Sequence, residues 1–164
     1  MNVVVDTNVA MAANGRNTHA SLSCQYECAV FLEVLVSPGK RTHIILDEQG
    51  LIFAEYRSRL GYKGEPGVGD MFFKYLHDHM YLDKKIKLVP ITPIDDEKRG
   101  FNELPPNSVD KSDRKFLAVA TVATAEIVNA VDTDWHKQIK FIASLGVTVR
   151  QLCPEHTHKI ALGS

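Results

Sequence analysis

The chain has 164 residues, 45% of them hydrophobic, which is enough apolar material for one continuous core. A formal net charge of −1 excludes the strongly basic field that gives nonspecific nucleic-acid binding. The N-terminal MNVVVD lacks a basic segment and a long apolar run, so we expect neither a signal peptide nor a membrane span. These features predict a single cytoplasmic domain over 1–164.

Five short apolar runs, rich in β-branched residues, alternate with longer amphipathic stretches. The runs are VVV at 3–5, HIIL at 43–46, IKLVP at 86–90, IVNAV at 127–131 and VTVRQL at 147–152. This alternation is typical of buried parallel strands with helices on both faces of the sheet. We therefore expect an α/β fold, a three-layer α/β/α sandwich around a central, mostly parallel sheet of about five strands.

The segments between these strands predict the helices and one long loop. Apolar residues at helical spacing favour helices at 21–36, 48–60, 66–82, 111–124 and 135–144. Asp47 is a plausible N-cap for the second of them. The proline-broken stretch 92–108 predicts a long surface loop.

Three cysteines allow more than one interpretation. Cys24, Cys28 and Cys153 form no CxxC pair, and the odd count predicts the reduced thiols of a cytosolic protein, without disulfides. Cys24 and Cys28 share a helix face, which indicates ordinary packing. Cys153, His156 and His158 include potential zinc ligands, but a fourth ligand is missing and the spacing fits no closed site. We interpret 153–164 as a polar C-terminal tail.

Carboxylates follow several of the predicted strands. Asp6 ends the first strand, Asp132 and Asp134 follow the fourth, and Asp110 and Asp113 open the helix before it. Ligands of open parallel sheets bind outside the carboxyl ends of the strands. This edge of the sheet is therefore the candidate site.

Glu55 joins these carboxylates from the predicted helix 48–60, where it lies on or beside the apolar face. If it converges with Asp6, Asp113 and Asp132, mutual repulsion raises their pKa values unless a cation neutralises them. An all-oxygen ligand set suits Mg²⁺ or Mn²⁺, ions that activate water and bind phosphate oxygens.

Four segments, in order along the chain, resemble the acidic motifs of PIN-domain nucleases. VVVDTNV resembles the family's opening DTN triplet, which falls on Asp6, Thr7 and Asn8. FAEYRSRL resembles the segment around its second acidic position, which falls on Glu55.

The other two motifs lie in the second half of the chain. DKSDRKFLAVA resembles the third motif and falls on Asp113, with Asp110 nearby, and IVNAVDTDW resembles the fourth and falls on Asp132 and Asp134. Two features depart from the family. Asn129 and Ala130 stand where many members carry Thr and a small residue, and the loop 92–108 has no assigned counterpart.

The resemblance implies a PIN-like, divalent-metal-dependent nuclease, a hydrolase of phosphodiester bonds that acts on RNA in preference to DNA. It implies the catalytic residues Asp6, Glu55, Asp113 and Asp132, with Asp134 added as a metal ligand and Asn8 and Asp110 auxiliary. Lys111, Arg114 and Lys115 flank Asp113 and could contact a nucleic-acid backbone, although a solvated helix face explains them equally well.

Several alternatives stay open. The resemblance allows a toxin of a toxin–antitoxin pair, with an antitoxin protein as partner, and a homodimer; it implies no membrane. It also allows a catalytically inactive PIN-like module that binds RNA or a protein. Each carboxylate alone could be a strand end or a helix cap, and Glu55 could pair with Arg59. Trp135 most simply packs under the sheet edge, with base stacking as the alternative.

Overall fold

The computed structural model describes residues 1–61, 64–82 and 84–157. Its centre is a sheet of five strands: β1 (Asn2–Val5), β2 (His43–Asp47), β3 (Ile86–Val89), β4 (Glu126–Asn129) and β5 (Thr148–Gln151). All four neighbouring pairs are parallel, in the order β3-β2-β1-β4-β5. The prediction of an α/β fold around a central parallel sheet is confirmed.

Helices flank this sheet. They are α1 (Thr7–Asn14), α2 (Leu22–Leu35), α3 (Leu51–Arg59), α4 (Val68–His79), α5 (Arg114–Ala123), α6 (Asp134–Lys137), α7 (Ile139–Ser144) and α8 (Pro154–Thr157). The helix predicted over 135–144 is divided at Gln138 into α6 and α7, and α5 begins later than the predicted residue 111. Among the described residues, no helix combines the length and apolarity needed to cross a bilayer.

Helix α1 is absent from the sequence-based prediction. It begins directly after β1, because the Asp6 side chain accepts a hydrogen bond from the Asn8 amide at 3.1 Å and so caps the helix. It ends at Gly15, whose φ of 69° is left-handed backbone that favours glycine. The first strand and the first helix thus meet at one carboxylate.

The core forms because the strands are buried and a helix lies across them. Val3, Val4 and Val5 of β1 are almost wholly inaccessible, as expected for a central strand with both faces covered. Helix α5 packs across β1, β2, β3 and β4. The Tyr56 hydroxyl of α3 donates to the Val5 carbonyl at the end of β1.

The strand order reverses between β1 and β4. From β1 the chain moves outward through β2 to β3, whereas β4 and β5 lie on the other side of β1. Such a reversal opens a crevice at the carboxyl ends of the two central strands. The Asp6 amide donates to the Val128 carbonyl at 3.0 Å, which joins the two strand ends at this point.

The stretch 92–108 is irregular, as predicted, apart from an isolated bridge between Pro93 and Phe101. It is anchored in the core, since Phe101 and Leu104 are buried. The Arg114 guanidinium donates to the Glu97 carbonyl at 2.8 Å and to the Asn107 side chain at 3.2 Å. The loop is therefore packed against the start of α5.

The prediction of three reduced thiols is wrong: Cys24 and Cys153 form a disulfide. An odd cysteine count cannot exclude one pair, and the fold brings these two residues together across a sequence separation of 129. Cys28 stays a thiol, and burial, with smaller contributions from the charges of Glu27 and Glu155, raises its pKa to about 12.

The start of the predicted polar tail is also packed. Cys153 and Thr157 are buried; Cys153 directly precedes α8, and Thr157 is its last residue. The disulfide holds this segment against α2, which explains why it does not extend into solvent. The rest of the predicted tail, residues 158–164 with His158, lies outside the described residues.

Candidate active site

Three of the carboxylates predicted from the sequence come together at the strand reversal. Asp6 follows β1, Asp132 follows β4, and Asp113 directly precedes α5. Each offers a carboxylate oxygen, and these oxygens all lie within 4.8 Å of one another. We call Asp6, Asp113 and Asp132 the acidic cluster.

Asp6 is the most enclosed member, with 5% of its surface exposed. The indole Nε1–H of Trp135 donates to its Oδ2 at 2.6 Å, and the Asn8 amide donates to its Oδ1. Burial raises the pKa of Asp6 to about 6; the two hydrogen bonds lower it, and the charges of Asp132 and Glu55 raise it. Each oxygen thus has a protein donor, yet the carboxyl group remains costly to ionise.

Asp113 has the more strongly raised pKa. It occupies the N-cap position of α5, but its side chain accepts no capping hydrogen bond. Burial, followed by the charges of Asp6 and Asp132, raises its pKa to about 8. The Asp113 side chain therefore does not cap α5, and helix capping does not explain why a carboxylate stands at this position.

Asp132 is held by a turn built on Asn129. The Asn129 side-chain amide donates to the Asp132 carbonyl at 2.8 Å, and its oxygen accepts from the Asp132 amide at 3.3 Å. The Asp132 carboxylate accepts from the Asp134 amide at 2.8 Å. Burial is the largest cause of the raised pKa of Asp132.

Asn8 lies next to the cluster and orients the same turn. Its side-chain oxygen accepts from the amides of Ala130 and Val131 at 2.9 and 3.2 Å, and its nitrogen donates to the Asn129 side chain at 2.8 Å. All of these bonds run from α1 to the end of β4. Asn8 therefore positions the chain that carries Asp132.

Glu55 lines the same groove as the cluster but lies outside its 4.8 Å group. Its carboxylate accepts from the Thr7 hydroxyl and forms an ion pair with Lys115 at 2.8 Å. The alternative surface pair with Arg59 is not formed; Arg59 lines the groove instead. Glu55 thus has a protein cation as its immediate partner.

The remaining predicted carboxylates do not join the cluster. Asp134 pairs with Lys137 at 3.5 Å, and 46% of its side chain is exposed. Asp110 accepts from the Ser112 hydroxyl and amide, which lowers its pKa. Asp47 caps α3 by accepting from the Leu51 and Ile52 amides, as predicted, although Gly50 and not Asp47 immediately precedes the helix.

The three basic residues predicted to contact nucleic acid differ in their surroundings. Lys111 is exposed, while Lys115 is committed to Glu55 and to the Ser112 carbonyl. Arg114 is 6% exposed and its guanidinium binds loop acceptors. The predicted contact between Arg114 and a nucleic-acid backbone therefore conflicts with the structure, because this guanidinium is buried and already bonded within the protein.

Some residues around the cluster were missed by sequence reasoning. The indole of Trp135 is 1% exposed, which agrees with packing and excludes base stacking, but its bond to Asp6 was not foreseen. A buried indole needs an acceptor, and that requirement is the one available signal. His19 also lines the groove and carries no motif that marks it.

Comparison with known proteins gives little further information about what this site does. No protein-family model matches the chain, and no curated protein matches it. One solved structure is similar. FitAB bound to the IR36 DNA fragment aligns over 92% of this chain and 94% of that chain, with 13% identity and a TM-score of 0.42. Similarity at this level does not assign the chain to a family.

Proposed function

We propose that this protein is a divalent-metal-dependent nuclease that hydrolyses phosphodiester bonds at the acidic cluster. The observation that carries the proposal is the convergence of Asp6, Asp113 and Asp132, with oxygens within 4.8 Å, at the strand reversal of a parallel sheet. The raised pKa values of these residues mean that the ionised cluster is unfavourable by itself.

The donor set fits a hard cation. Three carboxylates supply only oxygen ligands, and the groove leaves room for water and substrate oxygens, a combination that suits Mg²⁺ or Mn²⁺. Such an ion supplies Lewis acidity toward phosphate oxygens and makes a nucleophile of water near neutral pH. Asp6, Asp113 and Asp132 would hold it directly or through water.

The neighbouring residues have supporting roles in this proposal. Trp135 and the Asn8 amide fix the orientation of the Asp6 carboxylate. Asn8 and Asn129 hold the turn that carries Asp132. Glu55, which is paired with Lys115, would act as the fourth acidic group at the rim, where that lysine can transfer its contact to a substrate phosphate.

The finer features of the proposal are supported by the sequence resemblance alone. PIN-like motifs at Asp6, Glu55, Asp113 and Asp132 favour RNA as substrate, and a toxin partnered by an antitoxin protein as the setting. Exposed Lys111 and the groove residue Arg59 are the proposed contacts to the nucleic-acid backbone.

The test is cleavage of labelled single-stranded RNA and DNA by the purified chain with Mn²⁺ or Mg²⁺ and with EDTA. We expect metal-dependent cleavage that Asp6→Asn and Asp113→Asn each reduce by at least about a hundredfold, because each removes a charged oxygen from the cluster. Asp110→Asn is the matched control, since it makes the same chemical change beside the cluster and should retain most activity.

Wild-type chain that cleaves neither nucleic acid with any of these ions, while folded by circular dichroism, would refute the proposal. So would cleavage that Asp6→Asn leaves unchanged. RNA binding without cleavage would instead identify the inactive binding module that the same resemblance allows.

A further inference from the structure

A second group of potential ligands lies where the start of α2 meets the segment after β5. The sulfur atoms of Cys24, Cys28 and Cys153 all lie within 4.8 Å of one another. A further group joins Cys24 to a ligand nitrogen of His156 and a carboxylate oxygen of the exposed Glu155, all within 4.8 Å of one another. We call Cys24, Cys28, Cys153 and His156 the cysteine–histidine cluster.

The cluster is built from two short-range pairs. Cys24 and Cys28 stand on successive turns of α2, so both side chains point to the same side of the helix. Cys153 and His156 lie at the two ends of one turn, closed by a bond of 3.0 Å from the His156 amide to the Cys153 carbonyl. The C-x3-C spacing of the first pair lies within the range found in structural zinc sites, and the second pair supplies the further sulfur and nitrogen ligands that a four-coordinate site needs.

The environment also fits a structural metal. All three cysteines are fully buried, while His156 is partly exposed and so leaves a path to solvent. A tetrahedral ion with Zn–S bonds of about 2.3 Å separates its sulfur ligands by about 3.8 Å, which falls within the 4.8 Å that contains the three sulfur atoms; the Cys24–Cys153 pair must open by reduction to reach it. Cys24 lies in the first turn of α2, where the helix N-terminus favours a thiolate.

We propose that the reduced chain binds one Zn²⁺ through Cys24, Cys28, Cys153 and His156, and that the Cys24–Cys153 disulfide is the oxidised form of the same cluster. Cys28 is then a ligand and not only a packing residue. The imidazole would exchange its present hydrogen bond from the Ser21 amide, at 3.0 Å, for the metal. Ser21 is exposed, so water can satisfy that amide.

The proposed site is separate from the acidic cluster in residues and in chemistry. Sulfur and imidazole ligands select Zn²⁺, whereas the carboxylates of Asp6, Asp113 and Asp132 select Mg²⁺ or Mn²⁺. The two sites can therefore be distinguished by the ion they take and by the variants that remove them.

Conversion between the two forms is a balanced two-electron step. A trialkylphosphine breaks the Cys24–Cys153 bond and supplies two electrons; water gives its oxygen to the phosphine oxide and its two protons to the sulfur atoms. Binding of Zn²⁺ then releases the protons of the three thiols to the buffer.

The experiment uses the full chain, reduced with a phosphine, freed of metal and titrated with Co²⁺ as a spectroscopic substitute for Zn²⁺. We expect one equivalent of Co²⁺ to give sulfur-to-cobalt charge-transfer absorption and the visible bands of a tetrahedral ion, and one Zn²⁺ to displace it. Cys28→Ser should lower the charge-transfer intensity by about one third, because two of three thiolates remain.

His156→Gln should weaken Co²⁺ binding at least tenfold, with exposed His77→Gln as its matched control. Asp6→Asn should leave the spectrum unchanged, which separates this result from the fate of the proposed nuclease. The unreduced chain should give no charge-transfer band.

Reduced, folded protein with three titratable thiols and no charge-transfer band would overturn the proposal. A Cys28→Ser spectrum identical to that of the wild type would also overturn it. If reduction unfolds the metal-free chain, circular dichroism decides: refolding on addition of one equivalent of Zn²⁺ supports the site, and failure to refold rejects it.

Discussion

Trp135 and Asp6 form an unusual pair, because a neutral indole is the strongest stabilising partner of a buried carboxylate. The bond is 2.6 Å long, and both side chains are nearly inaccessible to solvent. A charged partner such as lysine would neutralise the carboxylate and weaken its attraction for the metal ion proposed to bind there. The indole orients one oxygen without neutralising the group.

Trp135→Phe should raise the pKa of Asp6 above its value of about 6. The substitution removes the only N–H of the side chain and retains an aromatic ring. A hydrogen bond to a charged group contributes about 1.5–3 kcal/mol, so we expect a rise of about one to two pKa units. Carboxyl ¹³C NMR of the metal-free protein measures it, and an unchanged pKa would show that the indole does not stabilise the ionised form.

The acidic cluster also predicts how stability depends on pH in the absence of metal. The pKa of Asp6 is raised to about 6 and that of Asp113 to about 8, so the folded state holds protons that the unfolded state has already released above pH 4. Stability is then present at low pH and falls as pH rises, first through the pKa of Asp6 and last through that of Asp113.

Urea denaturation in EDTA at pH 5, 6.5 and 8 tests this dependence. The wild type should lose up to about 1.4 kcal/mol per pH unit for each proton involved. Asp113→Asn should flatten the upper part of the range, where Asp113 titrates, while Asp110→Asn should not. Mn²⁺ should stabilise the wild type more at pH 8 than at pH 5. A wild-type stability that rises toward pH 8 in EDTA would contradict the assignment.

At the scale of elements, the position of α1 depends on its close contact with α4. A side-chain carbon added at Gly69 would lie 2.0 Å from the Ala10 carbonyl oxygen, which is backbone and cannot move aside alone. Helix α1 begins at Thr7, directly after Asp6, so its position affects the geometry of the site. Gly69 in α4 therefore permits the close helix contact that holds α1, and with it Asp6, in position.

Gly69→Ala should destabilise the fold by about 1–3 kcal/mol or more, as for other overpacked contacts, and should also weaken Mn²⁺ binding. Gly61→Ala is the matched control, because its added carbon would meet only the Arg57 carbonyl at an ordinary 3.7 Å. Thermal unfolding and Mn²⁺ titration measure the two effects. If the two variants are equally stable, α1 and α4 can move apart without loss of folding free energy, and the expected effect of Gly69→Ala is wrong.

The strands could be predicted and α1 could not, for a physical reason. Buried parallel strands need β-branched apolar runs, and all five predicted runs overlap observed strands. Helix α1 has the sequence TNVAMAAN, which is only eight residues long, has no clear amphipathic face and follows Asp6 without an intervening loop. Its N-cap is Asp6, whose position at the end of β1 predicted a residue of the candidate site and gave no sign of a helix start.

At the scale of the whole molecule, the disulfide joins residues separated by 129 positions. Closing so long a loop restricts the unfolded chain, and the loop-entropy relation gives roughly 5 kcal/mol as the upper range of stabilisation. We expect reduction in EDTA to lower the free energy of unfolding by several kcal/mol, up to about that amount.

Denaturant unfolding of the oxidised and reduced chains measures this difference. Cys28→Ala should show the same dependence on reductant, since Cys28 is outside the disulfide. Stability that does not respond to complete reduction would mean that packing alone holds the C-terminal segment.

The site was partly predictable at this scale. The rule that ligands gather at strand ends anticipates Asp6 and Asp132, and helix order adds Asp113. The Lys115 partner of Glu55, the indole on Asp6 and the pairing of Cys24 with Cys153 depend on the relative placement of distant elements, which no local pattern encodes. The prediction of a cytoplasmic location rested partly on free thiols and loses that support.

The reversed strand order also has a consequence for synthesis of the chain. Strand β4 inserts beside β1, so Asp132 and Trp135 reach Asp6 only after the first 135 residues have left the ribosome. Until then β1 has an unpaired edge and the acidic cluster is incomplete. Any activity that depends on the three carboxylates therefore begins only after β4 and the residues that follow it have joined the sheet.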